Sequence, residues 1–129
     1  MNYCLDTCLL IDAQRELRRG FGSALRFLEQ HAADRFWISA VAWGEFVEGR
    51  TAENERTLSE IRNTVDLLPV TEKVAEVYAA IVKTLRRRGE LIPTNDLWIA
   101  ATAMEANFEL VTRNAAEFGR IAGLKLARY

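Results

Sequence analysis

The residues best suited to chemistry are Asp6, Glu45 and Asp96, joined by a fourth oxygen-bearing segment, Asn114 with Glu117. Asp96 precedes Leu97-Trp98-Ile99-Ala100-Ala101 and Glu45 follows Ala40-Val41-Ala42-Trp43, so both carboxylates stand in apolar surroundings. Carboxylates gathered in a partly apolar cleft repel one another and tend to hold a proton unless a cation neutralises them. A hard divalent ion meets that need, because Mg²⁺ is bound by a few carboxylates while keeping several waters and a substrate phosphate. Such an ion polarises a phosphodiester and lowers the pKa of attacking water. The sole histidine, His31, excludes a multi-histidine zinc centre, and Cys4 and Cys8 are the only cysteines. The donor set therefore favours Mg²⁺ over Zn²⁺.

Each position also has a purely structural reading. Asp6 suits the cap of a helix beginning near Thr7, and Asp96 suits a first helical turn, where the helix dipole favours a negative charge. Asn114 and Glu117 have the spacing of a capping box. Glu45 sits on the flank of an apolar helix, where a solvated glutamate is common. What distinguishes the chemical reading is that all four segments can reach one place.

The elements around them make that convergence plausible. Asn2-Tyr3-Cys4-Leu5 reads as a buried strand ending at Asp6, and Phe36-Trp37-Ile38 as a second, with Ser39 the N-cap of a helix running to Gly49. Phe21, Ala24, Leu25 and Leu28 carry one helical stripe, and Leu58, Ile61, Val65 and Leu68 another. Leu67 to Val70 reads as a brief strand interrupted by Pro69. The clearest helix follows, through Val74, Val77, Tyr78, Ile81, Val82 and Leu85, with Thr71 as N-cap and Arg86 to Arg88 before Gly89. Leu97, Ala100, Ala101 and Met104 mark a helix apolar all round, hence buried. Glu109 to Thr112 and Leu124 to Ala127 complete the strands. Short strands separated by helices predict a three-layer α/β/α sandwich with a mainly parallel sheet, in which ligands sit beyond the carboxyl ends of the strands. Asp6, Glu45, Asp96 and Asn114 all follow such ends or the helices they lead into.

A chain of 129 residues and 14.6 kDa is the size of one domain, here residues 1–129, and buries enough surface to need no disulfide or structural metal. Half its residues are apolar and its formal charge is −1, which excludes a disordered chain and a globally basic nucleic-acid coat. No signal peptide is visible in Met1 to Thr7, and the longest apolar runs are far short of a membrane span, so a cytoplasmic location is expected. Cations are clustered instead, at Arg15, Arg18 and Arg19, at Arg86 to Arg88, and at Arg113 beside the acidic segments. Charge runs are usually solvated, and Arg86 to Arg88 also suit a helix C-terminus.

In Leu5-Asp6-Thr7, Ile38-Ser39 with Glu45-Phe46, Asn95-Asp96-Leu97-Trp98-Ile99-Ala100-Ala101, and Val111-Thr112-Arg113-Asn114 with Phe118, the sequence resembles the PIN-domain ribonucleases, specifically the VapC-like toxins of bacterial toxin–antitoxin pairs. The segments span almost the whole chain in the family's order. The resemblance implies a Mg²⁺- or Mn²⁺-dependent endoribonuclease in which Asp6, Glu45 and Asp96 hold the metal and Asn114 completes or supports the site. Asp6 and Asp96 would be the principal ligands, Glu45 a ligand or the carboxylate that orients water, and Thr7 and Ser39 polar supports. It further implies an RNA substrate, a homodimer and a cognate antitoxin that occludes the site. The chain departs from the family at Asn114, where an Asp is frequent, at Ala42, where a Thr is common, and at Cys8, where Asn or Ser is frequent; Glu117 would compensate for the missing fourth acid, with its capping role in competition. Trp43 and Phe46 suit either an interface or the core.

Two other classes fit the same pattern. A phospho-acceptor signalling domain shares the length and the α/β alternation, but it needs an acceptor Asp at a central strand end with a paired acidic pocket, and the middle of the chain offers no such Asp. A non-catalytic PIN-like RNA- or protein-binding module would keep the fold without the chemistry, and Asn114 is compatible with it.

Overall fold

A computed structural model describes residues Met1–Tyr129. Five strands, β1 (Asn2–Leu5), β2 (Arg35–Ser39), β3 (Asp66–Leu68), β4 (Glu109–Val111) and β5 (Leu126–Ala127), pair side by side in the order β3-β2-β1-β4-β5. Every pairing is parallel, with Cys4 between Trp37 and Leu110, and Leu5 between Ile38 and Val111. Seven helices link them: α1 (Thr7–Leu17), α2 (Ser23–Gln30), α3 (Ala40–Val47), α4 (Glu55–Thr64), α5 (Glu72–Arg88), α6 (Thr94–Ala106) and α7 (Ala115–Phe118). The chain steps from β1 toward β3 in one direction and from β4 to β5 in the other. Right-handed crossovers then place helices on opposite faces, which gives the expected three-layer sandwich. The order reverses between β1 and β4, and in such sheets a crevice opens at that point.

The core explains the registers. Cys4, Leu5, Ile38, Leu110 and Val111 are buried, as a parallel sheet covered on both faces requires. Leu97, Ile99, Ala100, Ala101 and Ala103 bury nearly the whole circumference of α6, and Tyr78 of α5 stacks on Trp98 at 3.8 Å. Phe46 is in the core and Trp43 packs partly buried against it.

Several boundaries differ from the sequence expectation. Phe21 is exposed and lies before α2, whose N-terminus is capped by a side chain from another helix: Glu16 of α1 accepts from the N–H groups of Leu25 (3.0 Å) and Ala24 (3.3 Å). A side chain at position 22 would displace the Glu16 carboxylate from this cap, because a Cβ there would fall onto it. α3 stops at Val47 rather than Gly49. Val65 and Leu68 leave the helical stripe, since Val65 is already extended and β3 begins at Asp66 and ends before Pro69, which has no N–H to donate. β5 is confined to Leu126–Ala127, and Leu124 precedes it. The αL residue at Gly89 closes α5 as expected.

Candidate active site

β1 ends at Leu5, and the Asp6 N–H donates to the carbonyl of Val111, the last residue of β4, at 3.0 Å, which carries the β1–β4 pairing one step beyond β1. The Asp6 side chain therefore emerges at the point where the strand order reverses. Its Oδ1 accepts from the Thr7 N–H (2.8 Å), capping α1, and its Oδ2 accepts from the Thr112 hydroxyl (2.7 Å) and the Cys8 thiol (3.3 Å). Burial pushes the Asp6 carboxyl above its usual range, and the three hydrogen bonds oppose that shift.

Glu45 arrives from the second turn of α3. Its Oε1 accepts from the Thr7 hydroxyl at 2.8 Å and its Oε2 from the Asn95 amide at 3.4 Å, so α1 and α6 both hold it. Asp96 stands in the first turn of α6. Burial, together with the charges of Asp6, Glu45 and Glu117, pushes its carboxyl up to about 6, and no hydrogen bond offsets the effect. Asp6, Thr7, Cys8, Ile11, Glu45, Asp96, Arg113 and Asn114 line one cleft of about 530 Å³.

The sequence-derived residues Asp6, Glu45, Asp96 and Asn114 thus meet in one cleft. Two structural expectations fail. The Asn114–Glu117 capping box is not formed: the Asn114 side chain makes no cap bond, its N–H donates to the Thr112 hydroxyl (3.0 Å), and Glu117 Oε2 is buried without a partner. Ser39 does not support a ligand either; it is fully buried and caps α3 by accepting from the Ala42 N–H at 3.0 Å. Of the arginines singled out, Arg113 lines the cleft, whereas Arg86 to Arg88 are exposed on the last turn of α5. Sequence reasoning missed what Thr112, Cys8 and Asn95 do, as their roles are contacts with carboxylates as much as 106 positions away.

The set fits a hard divalent cation. Three carboxylates face one cleft beside a buried, unpartnered Glu117 oxygen, and their mutual repulsion is what a cation relieves. No three acidic, histidine or cysteine side chains close on a single point as a full ligand cage would. Few donors, all of them oxygen, are what Mg²⁺ accepts while keeping several waters.

The PIN domain model matches residues 3–124. The chain belongs to the PIN-domain family. Over 130 residues this PIN domain is 28% identical to "Ribonuclease VapC1" of Haemophilus influenzae strain R2866, covering 97% of this chain and 96% of that one. It is 30% identical over 125 residues to "Ribonuclease VapC1" of Methanocaldococcus jannaschii, covering 95% and 84%. Among solved structures it superimposes on a chain of VapBC2 from Rickettsia felis bound to a promoter DNA fragment, with a TM-score of 0.87, 27% identity and coverage of 100% and 99%. A chain of VapBC-1 from nontypeable Haemophilus influenzae gives 0.79, 27%, and 99% and 98%.

Proposed function

We propose that this PIN domain is a metal-dependent endoribonuclease, the toxin of a toxin–antitoxin pair, with residues 1–129 acting as a single nuclease domain in the cytoplasm. The observation that carries the reading is the convergence of Asp6, Glu45 and Asp96, from three separate elements, on the cleft where the strand order reverses. Asp6, Asp96 and Glu45 would hold Mg²⁺ or Mn²⁺, and Asn114 would contribute an uncharged amide oxygen or N–H at the rim. A bound ion of this kind stabilises charge developing on a phosphodiester and acidifies water beside it.

The chain's own groups do the positioning. Thr112, Cys8 and the Thr7 N–H fix both oxygens of Asp6, so its orientation is set before any ligand arrives. Thr7 and Asn95 fix Glu45 from two sides, which suits it to accept a proton from, or orient, an attacking water. Asp96 is left free of hydrogen-bond donors and its carboxyl is pushed up to about 6, so a cation would favour its ionised form.

The partners follow from the surface. Between α1, α2 and α4 an apolar groove of about 280 Å³ is lined by Leu10, Leu17, Leu25, Leu28, Phe36 and Ile61. Leu17 there is 55% exposed. An amphipathic helix of the antitoxin fits such a groove. The toxin is a homodimer in this reading.

Total RNA incubated with purified protein, in Mg²⁺ or in chelator, followed by mapping of the cleaved ends, tests the function. Discrete ends that require metal and vanish in Asp6→Asn and Asp96→Asn support it. RNA binding without metal-dependent cleavage assigns the non-catalytic module instead.

A further inference from the structure

A cleft lined by three carboxylates repels the anion it is meant to receive, and a single cation, Arg113, lines it. Arg113 follows Thr112 at the carboxyl end of β4, and its side chain is 58% exposed. It makes one hydrogen bond, from Nη1 to Asp12 Oδ2 at 2.7 Å. A guanidinium carries five N–H donors, so most of its fork faces outward unengaged.

Asp12 itself has no evident reason to be where it is. It lies on the second turn of α1 and is 6% exposed, and an unpaired carboxylate so placed is costly. The Tyr129 hydroxyl, beyond β5, donates to the same Oδ2 at 2.6 Å, and Arg15 stands at 3.9 Å from Oδ1. Burial and the neighbouring Asp12 keep the Tyr129 phenol protonated, hence a donor. One carboxylate oxygen thus joins α1, the end of β4 and the segment after β5 at the edge of the cleft.

From this geometry we propose that Arg113 binds an RNA phosphate at the cleft rim, and that Asp12 and Tyr129 are positioning residues that hold its guanidinium there. The proposal rests on the nuclease reading above. Asp12 fixes one edge of the fork, and the opposite edge is presented to a phosphate beside Asp6 and Asn114. Tyr129 shares the Asp12 charge, which leaves Arg113 enough net positive field to attract an anion.

The test uses an RNA oligonucleotide spanning a cleavage site mapped from total RNA. Binding is measured by fluorescence anisotropy in Mg²⁺ over a salt series, comparing Asp96→Asn with Asp96→Asn/Arg113→Ala so that no RNA is consumed. Loss of Arg113 is expected to weaken binding about tenfold, as for a lost hydrogen bond to a charged group. The slope of log affinity against log salt should fall by roughly 0.7, the value for one phosphate contact on a single strand. In otherwise unaltered protein, Arg113→Ala should raise KM and leave kcat within about twofold, because the contact is made equally in ground and transition states. Arg113→Lys should recover part of the loss as a point charge. Asp12→Asn and Tyr129→Phe should each raise KM, with unchanged circular dichroism. An unchanged affinity and salt slope in the Arg113→Ala protein, with cleavage by the unaltered protein intact, overturns the phosphate assignment and leaves the nuclease reading standing. A Tyr129→Phe or Asp12→Asn protein that loses thermal stability but keeps its KM overturns the positioning role. If the unaltered protein neither binds nor cuts the RNA, the nuclease reading fails and this proposal with it.

Discussion

Replacing Asp96 by Asn should make the metal-free protein more stable while abolishing cleavage. The Asp96 carboxyl is pushed up to about 6 from an ordinary value of 3.8, by burial first and then by Asp6, Glu45 and Glu117. Two pKa units correspond to about 3 kcal/mol of differential interaction. Asp96 is partly exposed, and solvent screening reduces this to about 1–2 kcal/mol. Loss of a negative charge from the first turn of α6 gives back about 0.5 kcal/mol through the helix dipole. A folded-state pKa raised in this way favours the fold fully below pH 4, and the advantage is lost as pH rises through about 6. Above that, the ionised Asp96 strains the fold, and the uncharged amide does not.

Urea unfolding in EDTA should therefore show Asp96→Asn more stable by about 1 kcal/mol at pH 7.5, a rise in midpoint temperature of roughly 3–6 °C. The difference should vanish near pH 4, where both side chains are neutral. Addition of Mg²⁺ at pH 7.5 should stabilise the unaltered protein by mass action and leave Asp96→Asn little changed, narrowing or inverting the order. A variant that is less stable than the unaltered protein in EDTA at pH 7.5, or one whose advantage persists undiminished at pH 4, refutes the electrostatic reasoning.

Thr112→Val removes the hydroxyl that donates to Asp6 and accepts from the Asn114 N–H; it should cost about 1–3 kcal/mol in urea unfolding and shift the acid limb of the cleavage pH profile upward. Glu16→Ala uncaps α2 and should lower stability by about 1–2 kcal/mol, with kcat for RNA cleavage unchanged in a single-turnover assay below the melting range. Leu17→Glu introduces a charge into the exposed apolar groove and should weaken antitoxin binding at least tenfold by calorimetry while cleavage by the free toxin persists.

What could be read from the sequence was whatever is coded locally. Asp6 ends a buried apolar run, Ser39 and Thr71 are caps with their hydroxyls on the N–H groups of Ala42 and Val74, and α6 is apolar enough to be interior. The three carboxylates were legible because each borders or lies within such an element. Less visible was anything decided across the fold. Glu16 reads as one more charge on α1, and only the approach of α2 makes it a cap. Asn114 and Glu117 have the spacing of a capping box, but Thr112 takes the Asn114 N–H and leaves Glu117 Oε2 buried without a partner. Phe21 continues the helical stripe, yet α2 begins after Gly22, where Glu16 occupies the space a preceding turn would need. Nothing in the sequence ties Asp12 to Tyr129, 117 positions away.

The hydrogen bond from Thr112 to Asp6 also sets a clock. Its partners lie 106 residues apart, so a ribosome adding about 5–20 residues per second makes the second some 5–20 s after the first. Until β4 has emerged, Asp6 has neither its hydroxyl partner nor the neighbouring strand, and Asp96 has only just left the exit tunnel. A growing chain therefore lacks the assembled cleft until β4 has joined β1. The apolar groove, built from residues up to Val65, is complete well before that moment. That surface can be covered before the cleft is assembled.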